Sequence, residues 1–277
     1  MKRTKLRSLV LELSEGILSS TVDFTLHTLF CSLQLSGGKT ARDAWIICQK
    51  ANKKLEEINY ETFKNAFYEL KRKGLVKYIE DKEKERARIE ITELGQQRLA
   101  NSIPQYFEKR PWDGKIYLIT YDIPESRRTL RNKFRESILK KLSCGMLQAS
   151  VWITPYSPRA LIEAWAMEHG AVGMILISEL EKDGSFGEFT VEYLLEEVYK
   201  LSEVDSRYKA FINKYEKQTT ANQTDLNLDF ISCVKADPQL PFELLPPDWA
   251  SIKAYKIYKK LCSKNIFTFL ENAFKKG

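Results

Sequence analysis

Apolar positions recur at helical spacing across Leu6–Ile17 and again across Val22–Leu33, until Ser36-Gly37-Gly38 interrupts them. Thr40 and Asp43 have capping-box spacing, which predicts a helix running to about Lys53. Asn59 can cap the next helix, whose apolar positions Phe63, Ala66, Phe67 and Leu70 share one face before Gly74 stops it. Leu75–Glu80 and Ala87–Ile91 alternate and predict strands, with the charged run Asp81-Lys82-Glu83-Lys84-Glu85-Arg86 at the tip between them. Thr92 then caps a helix over Glu93–Asn101.

A turn-rich joint, Pro111-Trp112-Asp113-Gly114, precedes a β-rich run over Lys115–Tyr121. Ser126 can cap a helix with the stripe Leu130, Phe134, Ile138 and Leu142, ended by Gly145. Met146–Thr154 alternates as one strand. Ser157-Pro158 opens a helix that runs to His169 with Gly170 as its C-cap, and Val172–Ile177 is another strand. This β-α-β-α-β order is compatible with a split β-α-β, ferredoxin-like unit, although that unit needs two strands where Met146–Thr154 offers one, so the stretch has to bend to serve as both. Farther on, Phe189–Tyr215 is helical by pattern, Gln218–Asp229 is polar and loop-like, and Ser251–Lys275 is again helical, with an aromatic stripe that fits a core.

Composition narrows the class. A chain of 277 residues with 43% hydrophobic and 29% charged residues is globular rather than disordered, and the length suggests two or three domains. No apolar run reaches membrane-spanning length, and the start is too short and too charged for a signal peptide, so a cytoplasmic protein without membrane association is expected. The five cysteines are scattered, without Cys-x-x-Cys, and read as buried or free thiols. His27 and His169 have structural readings. Ser36-Gly37-Gly38-Lys39-Thr40 ends like a phosphate-binding loop, but Leu33 stands where its first glycine belongs. No nucleophile or zinc-peptidase motif occurs, and no catalytic residue, cofactor or metal is expected.

The net charge of +7 is unevenly placed. Residues 1–111 hold 21 Lys+Arg against 15 Asp+Glu, residues 112–182 hold 10 against 8, and residues 183–277 hold 13 against 14. A localised basic segment suits a polyanion. The element order in that segment is that of a winged helix-turn-helix, whose last helix before the hairpin enters the major groove. Its outward residues include Tyr60, Thr62, Lys64, Asn65 and Tyr68, of which Asn can pair bidentately with adenine and Thr and Tyr can reach bases or phosphates. Lys71, Arg72 and Lys73 end the helix, where cations also suit its dipole. The wing offers Lys82, Lys84, Arg86 and Arg88, interleaved with Glu83 and Glu85 as a solvated loop would be. Arg127, Arg128 and Arg131 begin a helix against its dipole, so they are not there to stabilise it.

Tyr121-Asp122-Ile123-Pro124, the Arg-rich helix and Leu147-Gln148-Ala149-Ser150-Val151-Trp152-Ile153-Thr154-Pro155 resemble the central domain of the PaaX family of repressors. Asp237-Pro238-Gln239-Leu240-Pro241, Glu243-Leu244-Leu245-Pro246 and Asp248-Trp249 resemble its C-terminal signature, and Ile91-Thr92-Glu93-Leu94-Gly95 fits the join after the wing. The resemblance implies an α+β chain. Its parts are a winged helix over 1–105, a ferredoxin-like domain over 112–185 and a mainly helical dimerisation or effector domain over 186–277. It further implies a homodimer on an inverted-repeat operator in double-stranded DNA, released by an acyl-coenzyme A effector. In this family that effector is phenylacetyl-coenzyme A, whose phosphates would suit Arg127, Arg128 and Arg131. The central pattern is also similar to the small CRISPR adaptation protein that partners the spacer integrase. That similarity raises the alternative of a metal-dependent nuclease using Asp122, although one Asp is a poor metal site.

Overall fold

The computed structural model describes residues 21–32, 41–51, 59–81, 86–181, 190–263, 266 and 268. The helix expected over Leu6–Ile17, the Ser36–Gly38 break, the Thr40 cap and the tip residues Lys82–Glu85 lie outside them. The chain forms two compact units. One takes its residues from Met1–Tyr106, Arg207–Ala236 and Ala250–Gly277; the other takes Phe107–Ser206 and Asp237–Trp249. Both helix and sheet are present, with helical N- and C-terminal parts and a central sheet, as an α+β chain requires.

The first unit is built on α1 (Thr21–Ser32), which packs against α2 (Ala41–Ala51), α3 (Tyr60–Arg72), α4 (Glu93–Ser102) and α9 (Gln223–Ala236). Contacts on so many sides bury α1 almost completely. Phe24 and Leu26 are fully buried, and so are its polar residues Thr25, His27 and Thr28. Thr28 donates its hydroxyl to the Phe24 carbonyl at 2.8 Å. Burial lowers the pKa of His27 to about 4, so the imidazole is neutral beside Cys31 at 3.9 Å. Asn59 caps α3 as expected, its side chain accepting from the Thr62 amide at 2.9 Å. The hairpin β1 (Val76–Asp81) and β2 (Arg86–Ile91) pairs Val76 with Ile91 and Asp81 with Arg86. Gly95 lets α4 close on it, since a Cβ there would stand 2.2 Å from the Leu75 carbonyl oxygen. Arg98 ties α4 to α1 through Asp23 at 2.5 Å.

The loop expected over Gln218–Asp229 is corrected. From Gln223 onward it is helix α9, in which Thr224, Leu226, Asn227, Leu228 and Phe230 through Val234 are all buried. Burial all round erases the one-sided periodicity by which a helix is recognised. Its polar residues are paired inside: the Asn227 amide donates to the Gln223 carbonyl and its Oδ1 accepts from the Tyr258 hydroxyl, both at 2.7 Å. Phe230 stacks on Tyr258 of α10 (Ser251–Leu261) with centroids 4.3 Å apart, so this part of the aromatic stripe is core.

The second unit carries the sheet β4-β5-β3-β6, in which every neighbouring pair is antiparallel. With helices after β3 (Lys115–Tyr121) and β5, this is the order of a split β-α-β fold. The single strand expected over Met146–Thr154 is in fact two, β4 (Gly145–Gln148) and β5 (Val151–Thr154), folded back through Ala149-Ser150. Alternation runs unbroken through a turn this tight, so the sequence pattern hides it.

Further corrections are local. A 3-10 turn, Glu125–Arg127, opens α5 (Arg128–Phe134) in place of a Ser126 cap, and α5 continues as a π-helical turn over Arg135–Leu139. Pro158 is the N-cap of α6 (Arg159–His169) and not its first residue, while the end at His169 and the C-cap Gly170, at φ 62°, are as expected. A turn at Gly173 (φ 79°) leaves Val172 exposed and delays β6 to Ile175–Glu181. Lys200, left-handed at φ 53°, divides the helical stretch after residue 190 into α7 (Val191–Tyr199) and α8 (Leu201–Tyr215).

One sheet face holds Ile119 and Tyr121 against Phe134, Ile138, Ile162 and Trp165 of the helices. On the other face α7 meets β4. A Cβ on Gly145 would stand 2.0 Å from Val198. The buried Tyr199 hydroxyl accepts from the Gly145 amide at 3.0 Å and lies 2.9 Å from the Ser143 and Ile153 carbonyl oxygens.

Candidate nucleic-acid interface

Helix α3 divides cleanly into two faces. Phe63, Ala66, Phe67 and Leu70 are buried, with Trp45 of α2 packed on Phe63 at 5.1 Å between centroids. Glu61, Asn65, Tyr68 and Arg72 follow at spacings of four, three and four on the opposite, exposed face. Tyr68 is 52% exposed, which is high for a large aromatic residue. Asn65 and Tyr68 therefore present an amide and a phenol to solvent, the donor and acceptor groups needed at a base edge.

The other expected contact residues separate by environment. Tyr60 is half-buried and leans on Trp45 at 6.2 Å. Thr62 is half-buried near the cap, and Lys64 sits 3.4 Å from Glu61. Lys73 pairs with Glu69 at 2.7 Å, Arg72 lies 3.8 Å from the same carboxylate, and Lys71 lies 4.8 Å from the Tyr78 ring centre. These pairs are exposed, so they are weak and exchangeable for a phosphate. Lys77 and Glu90 pair across the hairpin at 3.4 Å. Arg86 and Arg88 lie on β2, while Lys82 and Lys84 fall outside the described residues.

The arginines at the start of α5 are turned to internal work. Arg127 donates to the Gly170 carbonyl at 2.9 Å, holding the C-cap of α6, and Arg131 bonds Glu125 at 2.6 Å. Arg128 is the most open, 4.0 Å from Glu125. Farther along, Arg135 donates to the Tyr121 hydroxyl at 2.5 Å and to the Ala149 carbonyl, bracing the β4–β5 turn. Asp122 is exposed and its amide donates to the Met174 carbonyl at 2.9 Å. Among the described residues no group of three or more His, Cys, Asp or Glu is arranged to hold a metal ion, and no helix is long and apolar enough to cross a membrane. All five cysteines are free thiols; burial pushes Cys144 up to about 12 and Cys262 to about 11.

Two features escaped the sequence reading. Arg110 is buried and binds the C-terminal signature segment, with Nη2 3.0 Å from Asp237 and Nη1 3.1 Å from the Leu240 carbonyl. It falls just before the joint Pro111-Trp112-Asp113-Gly114, and no sequence motif singles it out. The second is an aliphatic cavity between α7 and the sheet, whose lining residues come from β3, β4, β5, β6 and α7 and share no local motif.

Comparison with known proteins bears on the second unit and on the C-terminal helices of the first. The "PaaX protein central Cas2-like domain" matches residues 109–185, and the "PaaX-like protein C-terminal domain" matches residues 199–268. No curated protein sequence matches the chain. Among solved structures, the uncharacterized protein Rv0674 from Mycobacterium tuberculosis is similar at 15% identity and a TM-score of 0.48, over 78% of this chain and 85% of that one. The two domain matches lie in family order and together span more than half of the sequence. This chain therefore belongs to the PaaX family of transcriptional regulators.

Proposed function

We propose that this protein is a DNA-binding repressor that acts as a homodimer on an inverted repeat, with α3 in the major groove and the β1–β2 hairpin as its wing. By role, residues to about 105 read DNA, 112–185 form the central unit, and 186–277 serve dimerisation and effector response. The observation that carries the reading is the division of α3: an apolar face consumed by the core, and Asn65, Tyr68 and Arg72 left outward. Asn65, Tyr68 and Thr62 read bases; Tyr60, Lys64, Lys71, Arg72, Lys73, Lys84, Arg86 and Arg88 line the backbone contacts. An acyl-coenzyme A effector, as the family uses, releases the operator, and Arg128, with Arg127 and Arg131 beside it, is the candidate contact for its phosphates.

The test begins with selection of bound duplexes from a random library, which should enrich a palindrome. An Asn65→Ala, Tyr68→Ala double variant should then bind the enriched site at least tenfold more weakly, since a good base contact is worth about 1–3 kcal/mol. Binding equal to the unmodified protein would refute the assignment of α3. Affinity should also fall steeply with salt, as phosphate contacts require.

A further inference from the structure

The outer face of the sheet in the second unit is aliphatic and only partly covered. Cross-strand partners share a face, and the register pairs Ile116 with Leu180 and Thr120 with Leu176 across β3 and β6, and Leu118 with Ile153 and Thr120 with Val151 across β3 and β5. Helix α7 lies over this face. Its C-terminal end is clamped down, Val198 and Tyr199 lying against Gly145 where no side chain intervenes. Toward its N-terminal end Val191, Leu194 and Leu195 face the sheet. Between them and Ile116, Leu118, Leu147, Val151, Ile153 and Leu180 lies a cavity of about 380 Å³.

We propose that this cavity binds the uncharged aliphatic or aryl body of a small ligand. Three observations support it. The volume lies in the range of small-molecule sites, and it is more than twice that of a dry cavity of about 150 Å³ that accepts benzene. It therefore takes roughly ten heavy atoms, a bicyclic ring or a medium-length chain. The lining contains no charged side chain; its polar groups are Thr120 and Gln148. Thr120 is half-buried and Gln148 exposed, which places hydrogen-bonding groups for a carbonyl or hydroxyl at the mouth and hydrocarbon within. The face is also open to solvent beside the cavity: Leu176, the cross-strand neighbour of Thr120, is 67% exposed.

A small ligand is favoured over a second copy of the chain because α7 stands over the face and breaks the flat surface that a sheet-to-sheet contact uses. The site is separate from the arginines of α5, so a ligand held here is recognised by its hydrocarbon and not by phosphate. As the sensory site of a repressor the cavity rests on the reading above; binding at it does not.

The experiment uses the full chain and the neutral fluorescent probe 1-naphthylamine, a bicyclic amine of the size the cavity takes, displaced by decan-1-ol. The expected result is saturable fluorescence at one probe per chain, competed by the alcohol, and weakened at least tenfold by Leu118→Trp and by Leu194→Trp, which fill the cavity from the sheet and the helix. Leu194 is half-buried, so its variant keeps the test sound if Leu118→Trp fails to fold. Absence of saturable binding, indifference to decan-1-ol, or a folded Leu194→Trp variant that binds as the unmodified protein does would each overturn the proposal. So would a filled variant whose assembly state in sedimentation changes while probe binding stays the same, because the face would then belong to a second copy. Library selection of DNA on the same protein reads the repressor assignment independently, so an empty cavity leaves DNA binding standing and a failed selection leaves the cavity standing.

Discussion

Replacing Arg110 with Met removes a cation at the centre of a closed set of contacts. Its side chain is 1% exposed and that of its partner Asp237 is fully buried. The guanidinium donates through Nε to the Phe107 carbonyl at 3.2 Å, through Nη1 to Leu240 at 3.1 Å and through Nη2 to Asp237 at 3.0 Å, and it lies 4.6 Å from the Phe242 ring centre. Methionine keeps much of the volume but leaves a buried carboxylate without its cation. Breaking a buried pair from one side costs about 3–5 kcal/mol. Replacing both partners costs less, because no unpaired charge remains, so an Arg110→Met, Asp237→Leu double variant should recover part of the loss. Urea unfolding followed by tryptophan fluorescence gives the midpoints, and a double-mutant cycle gives the coupling. Single-variant losses below about 1 kcal/mol, or losses that add within about 0.5 kcal/mol, would show that the pair does not hold the signature segment.

Four further outcomes follow from the same structure. His27 is held near a pKa of about 4 against 6.5 when unfolded, so the unfolded chain binds the extra proton as pH falls and stability is lost. Between pH 7.5 and pH 5 that loss is about 2 kcal/mol, and His27→Leu should remove this part of the pH dependence of the urea midpoint. Gly145→Ala puts a methyl group 2.0 Å from Val198, so α7 must shift; a loss of about 1–3 kcal/mol in thermal unfolding is expected, and a neutral result contradicts the close approach. Tyr258→Phe leaves Asn227 Oδ1 without this donor and should cost about 1–3 kcal/mol in the same assay. A fragment ending at Tyr106 should unfold at lower temperature and with a broader transition than the full chain; an equal, sharp transition refutes a shared core.

Elements with a one-sided pattern were legible in the sequence. Helix α3 was, because its buried stripe, its Asn59 cap and its Gly74 stop all agree, and β3 was, because Pro and Gly punctuation brackets a β-branched run. Helix α9 was not, since burial on all sides, with Asn227 and Thr224 inside, makes its polarity resemble that of a loop. The β4–β5 hairpin was hidden because its two-residue turn, Ala149-Ser150, contains neither Gly nor Asn to announce it. At the candidate site, exposure of Asn65 and Tyr68 followed directly from helical spacing. The engagement of Arg127 with Gly170, 43 residues away, and the burial of Arg110 against Asp237 are long-range facts that no local pattern encodes.

The C-terminal helices do more in this chain than follow the N-terminal segment in sequence. Helix α1 packs on α3 from one side and on α9 from another. Its Cys31 thiol is raised first by burial and then by Cys262, and it meets Thr224, so α1, α9 and the end of α10 converge on one residue. Tyr106, at the end of the N-terminal segment, lies 2.9 Å from Ser251 through its hydroxyl and 4.5 Å from the Tyr255 ring centre. A helix buried on several faces cannot lose one neighbour without exposing Phe24, Leu26 or Leu29, at about 1.5–3 kcal/mol for each side chain returned to water. Helix α3 is therefore set in a core that the C-terminal helices complete. Any rearrangement of α9 or α10 that loosens α1 changes the support of α3.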